Sequence, residues 1–148
     1  MQLTQKETDL MKDLKTQEEV CAETYKRHAQ AANDAQLKAL FNEISSTEKH
    51  HLDMLNQIES GTVPPTGASG DTKTFSATYG ACDSPEKAGD AYLCNDLLAA
   101  EKHASGLYDT CIFEFENNDI RNVLNYIQKA EQMHGKQIYD YMSTNNMY

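Results

Sequence analysis

An internal repeat limits this chain more than anything else in it. Adding 83 to a position in the first half lands on its counterpart in the second: Asp13 and Asp96, Leu14 and Leu97, Glu18 and Glu101, Tyr25 and Tyr108, Ile44 and Ile127, Glu48 and Glu131, His51 and His134. Apolar character carries over at Leu37 and Ile120, Phe41 and Leu124, and Leu55 and Ile138. The register holds without a gap over roughly forty-five residues. Whatever one half folds into, the other must match, and the two must bury their faces on each other.

The repeated unit reads as a helical hairpin. Thr4 and Glu7 form a capping box, and the first helix runs from there to about Ala32. A second begins near Asn33-Asp34 and continues to about Glu59, with Gly61 as its stop. Ser84-Pro85-Glu86 supplies a capping hydroxyl, a first-turn proline and an acid at the positive end of the helix dipole. That third helix reaches roughly Glu116, and Asn117-Asn118 turns the chain into a fourth that ends near Met142. The short joints make each pair antiparallel. The Gly-, Pro-, Thr- and Ser-rich stretch between the pairs, extended at ~3.3 Å per residue, can return along a ~39 Å helix. The expected architecture is all-α: one antiparallel four-helix bundle over residues 1–148, with hairpins 4–59 and 84–143 joined by a crossover 60–83.

Each helix carries an apolar stripe at the 3-and-4 spacing of a core face. The stripes read Leu10, Leu14, Glu18, Cys21, Tyr25; then Leu37, Phe41, Ile44, Glu48, His51, Leu55, Ile58; then Leu93, Leu97, Glu101, Ala104, Tyr108, Cys111, Phe115; then Ile120, Leu124, Ile127, Glu131, His134, Ile138, Tyr141. A glutamate interrupts every one, and in the second and fourth a histidine follows three residues later. Burying an unpaired carboxylate costs several kcal/mol, and no lysine or arginine lies on these stripes. Two divalent cations would balance four carboxylates, and two neutral imidazoles would complete the coordination. The expected metal ligands are therefore Glu18, Glu48, His51, Glu101, Glu131 and His134. Glu18 and Glu48 stand 30 residues apart, as do Glu101 and Glu131, which a pair of unrelated surface motifs would not arrange.

Tyr25 and Tyr108 lie two turns beyond Glu18 and Glu101 on the same faces. Their hydroxyls can orient a ligand carboxylate, or the rings can fill the core with the hydroxyls satisfied elsewhere. His28, His50 and His103 fall off the stripes and are expected at the surface. Cys21, Cys82, Cys94 and Cys111 form no C-x-x-C pair, so a thiolate zinc or rubredoxin-type iron centre is not expected. Three of them sit within helical patterns as small hydrophobes, and Cys82 lies in the crossover.

The formal charge of −10 disfavours nucleic acid and anionic membrane surfaces as partners. Gln2 to Leu10 alternate polar and charged residues, giving no secretory signal, and no apolar run approaches the ~18 residues of a spanning helix.

With these ligands in place, the chain resembles the ferritin-like superfamily, which includes rubrerythrins, bacterioferritins and manganese catalases. Its dimetal members use one glutamate from each of two helices and Glu-x-x-His from the other two. More narrowly, Asn118-Asp119-Ile120-Arg121-Asn122-Val123-Leu124, Glu131-Gln132-Met133-His134, Tyr141-Met142 and Asn146-Met147-Tyr148 resemble the coat F family of spore coat proteins from endospore-forming bacteria. Leu37-Lys38-Ala39-Leu40-Phe41-Asn42 and Gly61-Thr62-Val63-Pro64 are similar to clostridial members. There are departures. Many dimetal bundles place an acid just before Glu-x-x-His to hold an imidazole, whereas Thr47 and Ala130 stand here, so a backbone carbonyl or an aspartate from another helix is expected instead. A rubredoxin tail and a fifth helix are missing, which argues against a built-in electron donor and a storage cage.

The resemblance implies a spore coat protein, made in the mother-cell cytoplasm and laid into the coat beside other coat proteins, retaining two iron or manganese ions. It also implies a second reading, a dimetal oxidoreductase that disposes of peroxide or dioxygen. Nothing in the residues chooses iron over manganese. A homo-oligomer, with a dimer the simplest, is expected from tyrosines and methionines near the C-terminus. Cys82 and the tail tyrosines Tyr139, Tyr141 and Tyr148 are expected to be exposed and available for cross-linking.

Overall fold

The computed structural model describes residues 2–68 and 70–148. Met1 and Ser69, which fall within the expected domain and crossover, lie outside the described residues. Four helices follow one another: α1 (Gln5–Ala31), α2 (Ala35–Glu59), α3 (Pro85–Glu114) and α4 (Asn118–Thr144). The described residues include no strand.

Local chemistry sets the boundaries. The Thr4 hydroxyl accepts from the Glu7 N–H at 3.2 Å while Glu7 Oε1 accepts from the Thr4 N–H at 2.9 Å, a closed capping box contributing about 1 kcal/mol. Asp34 caps α2, Ser84 caps α3 ahead of Pro85, and Asn117 caps α4 through the N–H groups of Asp119 and Ile120. Gly61 stops the first hairpin at φ 96°, a left-handed conformation that a β-carbon would strain. α3 ends two residues earlier than the periodicity suggests and α4 two residues later. Phe115 turns extended to bury its ring, and α4 continues until Asn145 caps it.

α1 packs chiefly on α2 and α3 on α4, and the pairs meet along α1 with α3 and α2 with α4. Two carboxylates tie the pairs together at their ends. Glu7, at the start of α1, accepts from the Glu116 N–H beyond α3 at 3.2 Å. Asp90, at the start of α3, accepts from the Asn33 and Asp34 N–H groups between α1 and α2 at 2.8 and 2.9 Å. Asp90 is fully buried and also accepts from the Tyr79 hydroxyl at 2.8 Å. Both carboxylates satisfy backbone groups that a helix joint would otherwise leave open.

The core falls into two apolar halves. One contains Met11, Leu14, Leu55, Ile58, Tyr108, Phe115, Ile120, Val123, Leu124 and Ile127. The other contains Cys94, Leu97, Ile138, Tyr141, Tyr25, Ala32, Leu37, Leu40, Phe41 and Ile44. Each member of the first list is the repeat image of the member in the same place in the second. A belt of buried Glu18, Glu48, His51, Glu101, Glu131 and His134 belongs to neither half.

Several crossover residues pack on the second of these halves. Phe75 meets Tyr141 edge-on at 5.5 Å, Gln137 donates to the Asp71 carbonyl at 2.8 Å, and Asn145 accepts from the Thr78 and Tyr79 N–H groups.

Candidate metal centre

All six residues singled out from the stripes converge at mid-core. Glu18, Glu48, Glu101 and Glu131 are 0 to 3% exposed, His51 1% and His134 6%. Their ligand-capable atoms form two groups, each within a 4.8 Å span: Glu18, Glu48, His51 and Glu131 in one, Glu48, Glu101, Glu131 and His134 in the other. Glu48 and Glu131 belong to both. The overlap sorts six residues into two shared carboxylates and, on each side, one glutamate with one histidine.

The two sides are images of each other. His51 Nδ1 lies 3.3 Å from Glu131, 3.4 Å from Glu48 and 3.9 Å from Glu18. His134 Nδ1 lies 2.9 Å from Glu48, 3.4 Å from Glu101 and 3.8 Å from Glu131. The rings lie 6.1 Å apart and nearly parallel, at 23°.

Hydrogen bonds satisfy only part of this cluster, His51 Nδ1 and Glu48 Oε2 lying 3.4 Å apart. Glu18 Oε2, Glu48 Oε1, Glu101 Oε2, both Glu131 oxygens and His134 Nδ1 are buried without a hydrogen-bond partner among the described residues. Buried polar atoms are normally satisfied, and a cluster of orphans costs several kcal/mol unless something else occupies the centre. Lone pairs directed at common points rather than at one another are what a pair of cations requires. The donor set, all carboxylate oxygen and imidazole nitrogen, suits iron and manganese.

Burial and mutual charge pull the members of the cluster in opposite directions. Burial and the charge of Glu131 push Glu18 well up and Glu101 up to about 8. Burial works against ionising Glu48, but the neighbouring Glu18 carboxyl and the His134 and His51 imidazoles outweigh it and hold Glu48 at about 2. Burial and the charge of Glu48 likewise oppose a charged Glu131, which the neighbouring Glu101 carboxyl and the His134 and His51 imidazoles bring below the usual range. Desolvation disfavours a charged His51, yet Glu131 and Glu48 lift it to about 9, and His134 rises well above its ordinary value for matching reasons. The shifts thus run upward for the two outer glutamates and both imidazoles and downward for the two shared carboxylates.

Both tyrosines reach across the midline. The Tyr25 hydroxyl donates to Glu101 at 2.5 Å and the Tyr108 hydroxyl donates to Glu18. Each orients an outer carboxylate of the other hairpin, not of its own helix. Of the remaining histidines, His50 and His103 are exposed, and His28 is partly covered and pairs with Asp96 at 2.6 Å. Cys21, one turn beyond Glu18, is buried. Burial and the nearby carboxylate of Glu48 push its thiol up, so it stays protonated.

Two expectations fail. Tyr141 is fully buried, because Asp34 accepts its hydroxyl at 2.6 Å and lets the ring enter the core; Tyr139, Tyr148 and Cys82 are exposed as expected. Neither a carbonyl nor an aspartate takes the outer nitrogen of the site histidines: among the described residues Nε2 of His51 and of His134 forms no hydrogen bond. The Glu7 and Asp90 pair went unread in the sequence, although 7 and 90 obey the same offset as the other repeat pairs.

Residues 89–148 match the family model of the Coat F domain. The match takes in α3 from its second turn and all of α4, and so covers Glu101, Tyr108, Glu131 and His134. No curated protein and no solved structure matches the chain. Among the described residues no helix is long and apolar enough to cross a membrane.

Proposed function

We propose that this is a spore coat protein of ferritin-like fold, an antiparallel four-helix bundle that holds a carboxylate-bridged pair of iron or manganese ions. The Coat F match supports the coat role. The single observation that supports the metal centre is the set of orphaned buried carboxylate oxygens in two overlapping groups. Glu48 and Glu131 would bridge, Glu18 with His51 would complete one position, and Glu101 with His134 the other. Tyr25 and Tyr108 fix the outer carboxylates, and the two apolar halves keep bulk water away.

A bound iron or manganese pair supplies redox chemistry toward peroxide or dioxygen. The oxidoreductase reading is compatible with the coat role and is supported by the buried phenol that donates a hydrogen bond to each outer carboxylate, at 2.5 Å to Glu101 on one side.

Metal content of protein purified from its native host tests the centre, with about two ions per chain expected. Anaerobic loading followed by peroxide turnover beside Glu48→Ala tests the activity, and equal turnover in both proteins removes it. Fractionation of sporulating cells tests the coat role, which ends if the protein is absent from spores.

A further inference from the structure

The unpartnered outer nitrogens of His51 and His134 face open space. An imidazole that points Nδ1 inward presents Nε2 on its opposite edge. On that side, between α2 and α4, lies a cavity of about 500 Å³ lined by both histidines. Residues 68, 70, 71 and 73 of the crossover line it too, held there by Gln137 on the Asp71 carbonyl and by Lys73 paired with Glu43 at 2.8 Å.

A metal-binding histidine almost always gives its second N–H to a carboxylate, a carbonyl or water, which fixes its tautomer and raises its basicity. Here two such groups, each at least nine-tenths buried, have no acceptor from the described residues. The residues preceding the two Glu-x-x-His sequences, Thr47 and Ala130, both line the same cavity and carry no carboxylate. The space that an acidic side chain would fill is left open, and it exceeds the ~30 Å³ share of one water many times over.

We propose that the cavity between α2 and α4 binds a small carboxylate that accepts the Nε2 hydrogens of His51 and His134. The inference rests on the dimetal reading for its consequence, since a bound carboxylate would tune the ligand imidazoles from outside. The binding itself needs only the two donors. Lys73 at the rim is paired with Glu43, and Asp71 lines the cavity too, so the two imidazole donors alone carry the binding; the rings that hold them lie 6.1 Å apart.

The test uses full-length protein labelled with ¹⁵N at histidine, with and without zinc as a redox-silent probe metal. Sodium acetate is titrated against sodium chloride at equal ionic strength. A saturable shift of the His51 and His134 Nε2–H signals is expected, with His28 and His103 unmoved and chloride without effect. Ala130→Asp supplies the carboxylate from within and should weaken acetate binding at least tenfold while moving the same signals in its absence; Thr47→Asp gives the same reading if Ala130→Asp misfolds. Absent shifts at high acetate, equal shifts with chloride, or undiminished acetate binding in both variants overturns the proposal. Zinc uptake is read separately by native mass spectrometry. Failure to take up zinc with an intact acetate response sinks the dimetal reading alone, and zinc uptake without that response sinks the carboxylate site alone.

Discussion

The two apolar halves of the core come from the same repeat yet differ in what lies outside them. Where the crossover packs, the chain has Gln137 and Tyr141; at the bare end the same repeat positions hold Met54 and Ile58. Gln137 and Tyr141 both spend their polar atoms on partners the other half lacks, the Asp71 carbonyl and Asp34. At the midline nothing of this kind has happened: two glutamates, one histidine and one tyrosine are retained in each copy. Divergence has followed the neighbours, and identity has been kept where the halves share one centre.

The comparison breaks most sharply at the shared ligands. Glu48→Ala and Glu131→Ala should each reduce about two bound ions per chain to about none, whereas Glu18→Ala and Glu101→Ala should each leave about one. Native mass spectrometry distinguishes these outcomes, and loss of both ions in all four variants would remove the division into shared and outer ligands.

Protons sharpen the same picture. Because the two outer glutamates and both imidazoles are shifted toward their protonated forms, loading two divalent ions at pH 7 should release a measurable number of protons. Calorimetry in buffers of differing ionisation enthalpy measures that number. His51 binds its proton more tightly folded (about 9) than unfolded (6.5), and Glu101 likewise (about 8 against 4.5). Stability from such raised groups is present at low pH and lost as pH rises through the folded values. The melting temperature of metal-free protein should therefore fall as pH rises from about 4.5, through Glu101, to about 9, through His51, and that of loaded protein should hold.

Making the bare end imitate the covered end should fail. Met54→Gln buries an amide with no crossover to receive it and should cost about 2–3 kcal/mol in urea unfolding. Tyr25→Phe and Tyr108→Phe should each weaken metal binding about tenfold, by similar factors in competition with a chelator, since each removes the donor from one outer carboxylate. Gln137→Met has the smallest expected effect, about 1 kcal/mol. Its clearer sign is faster proteolysis of residues 66–73, and an unchanged rate would show that the amide does not hold the crossover.

Most of what periodicity can express was readable. Glutamates at core spacing, the repeat offset and the caps placed four helices and brought six residues toward one centre. What escaped depends on partners distant in sequence. Glu7 resembles an ordinary capping-box acid, and its second oxygen's bond to the Glu116 N–H leaves no trace in local pattern. Asp90 sits in the first turns of α3, where acids are common, while its role comes from the joint between α1 and α2. Tyr141 obeyed its stripe, and only Asp34 explains how a hydroxyl could follow the ring inward. The tyrosines' partners were legible as carboxylates but not as those of the opposite hairpin, because a single helix face does not say what it will meet.

That exchange of partners has a consequence for the chain's symmetry. Tyr25 with Glu101 mirrors Tyr108 with Glu18, and Asn33 with Asp90 mirrors Glu116 with Glu7. Contacts that return the same pair of positions with their roles reversed are those of a symmetric homodimer. The molecule has the internal bonding of two like halves related by a twofold exchange, with the crossover joining them.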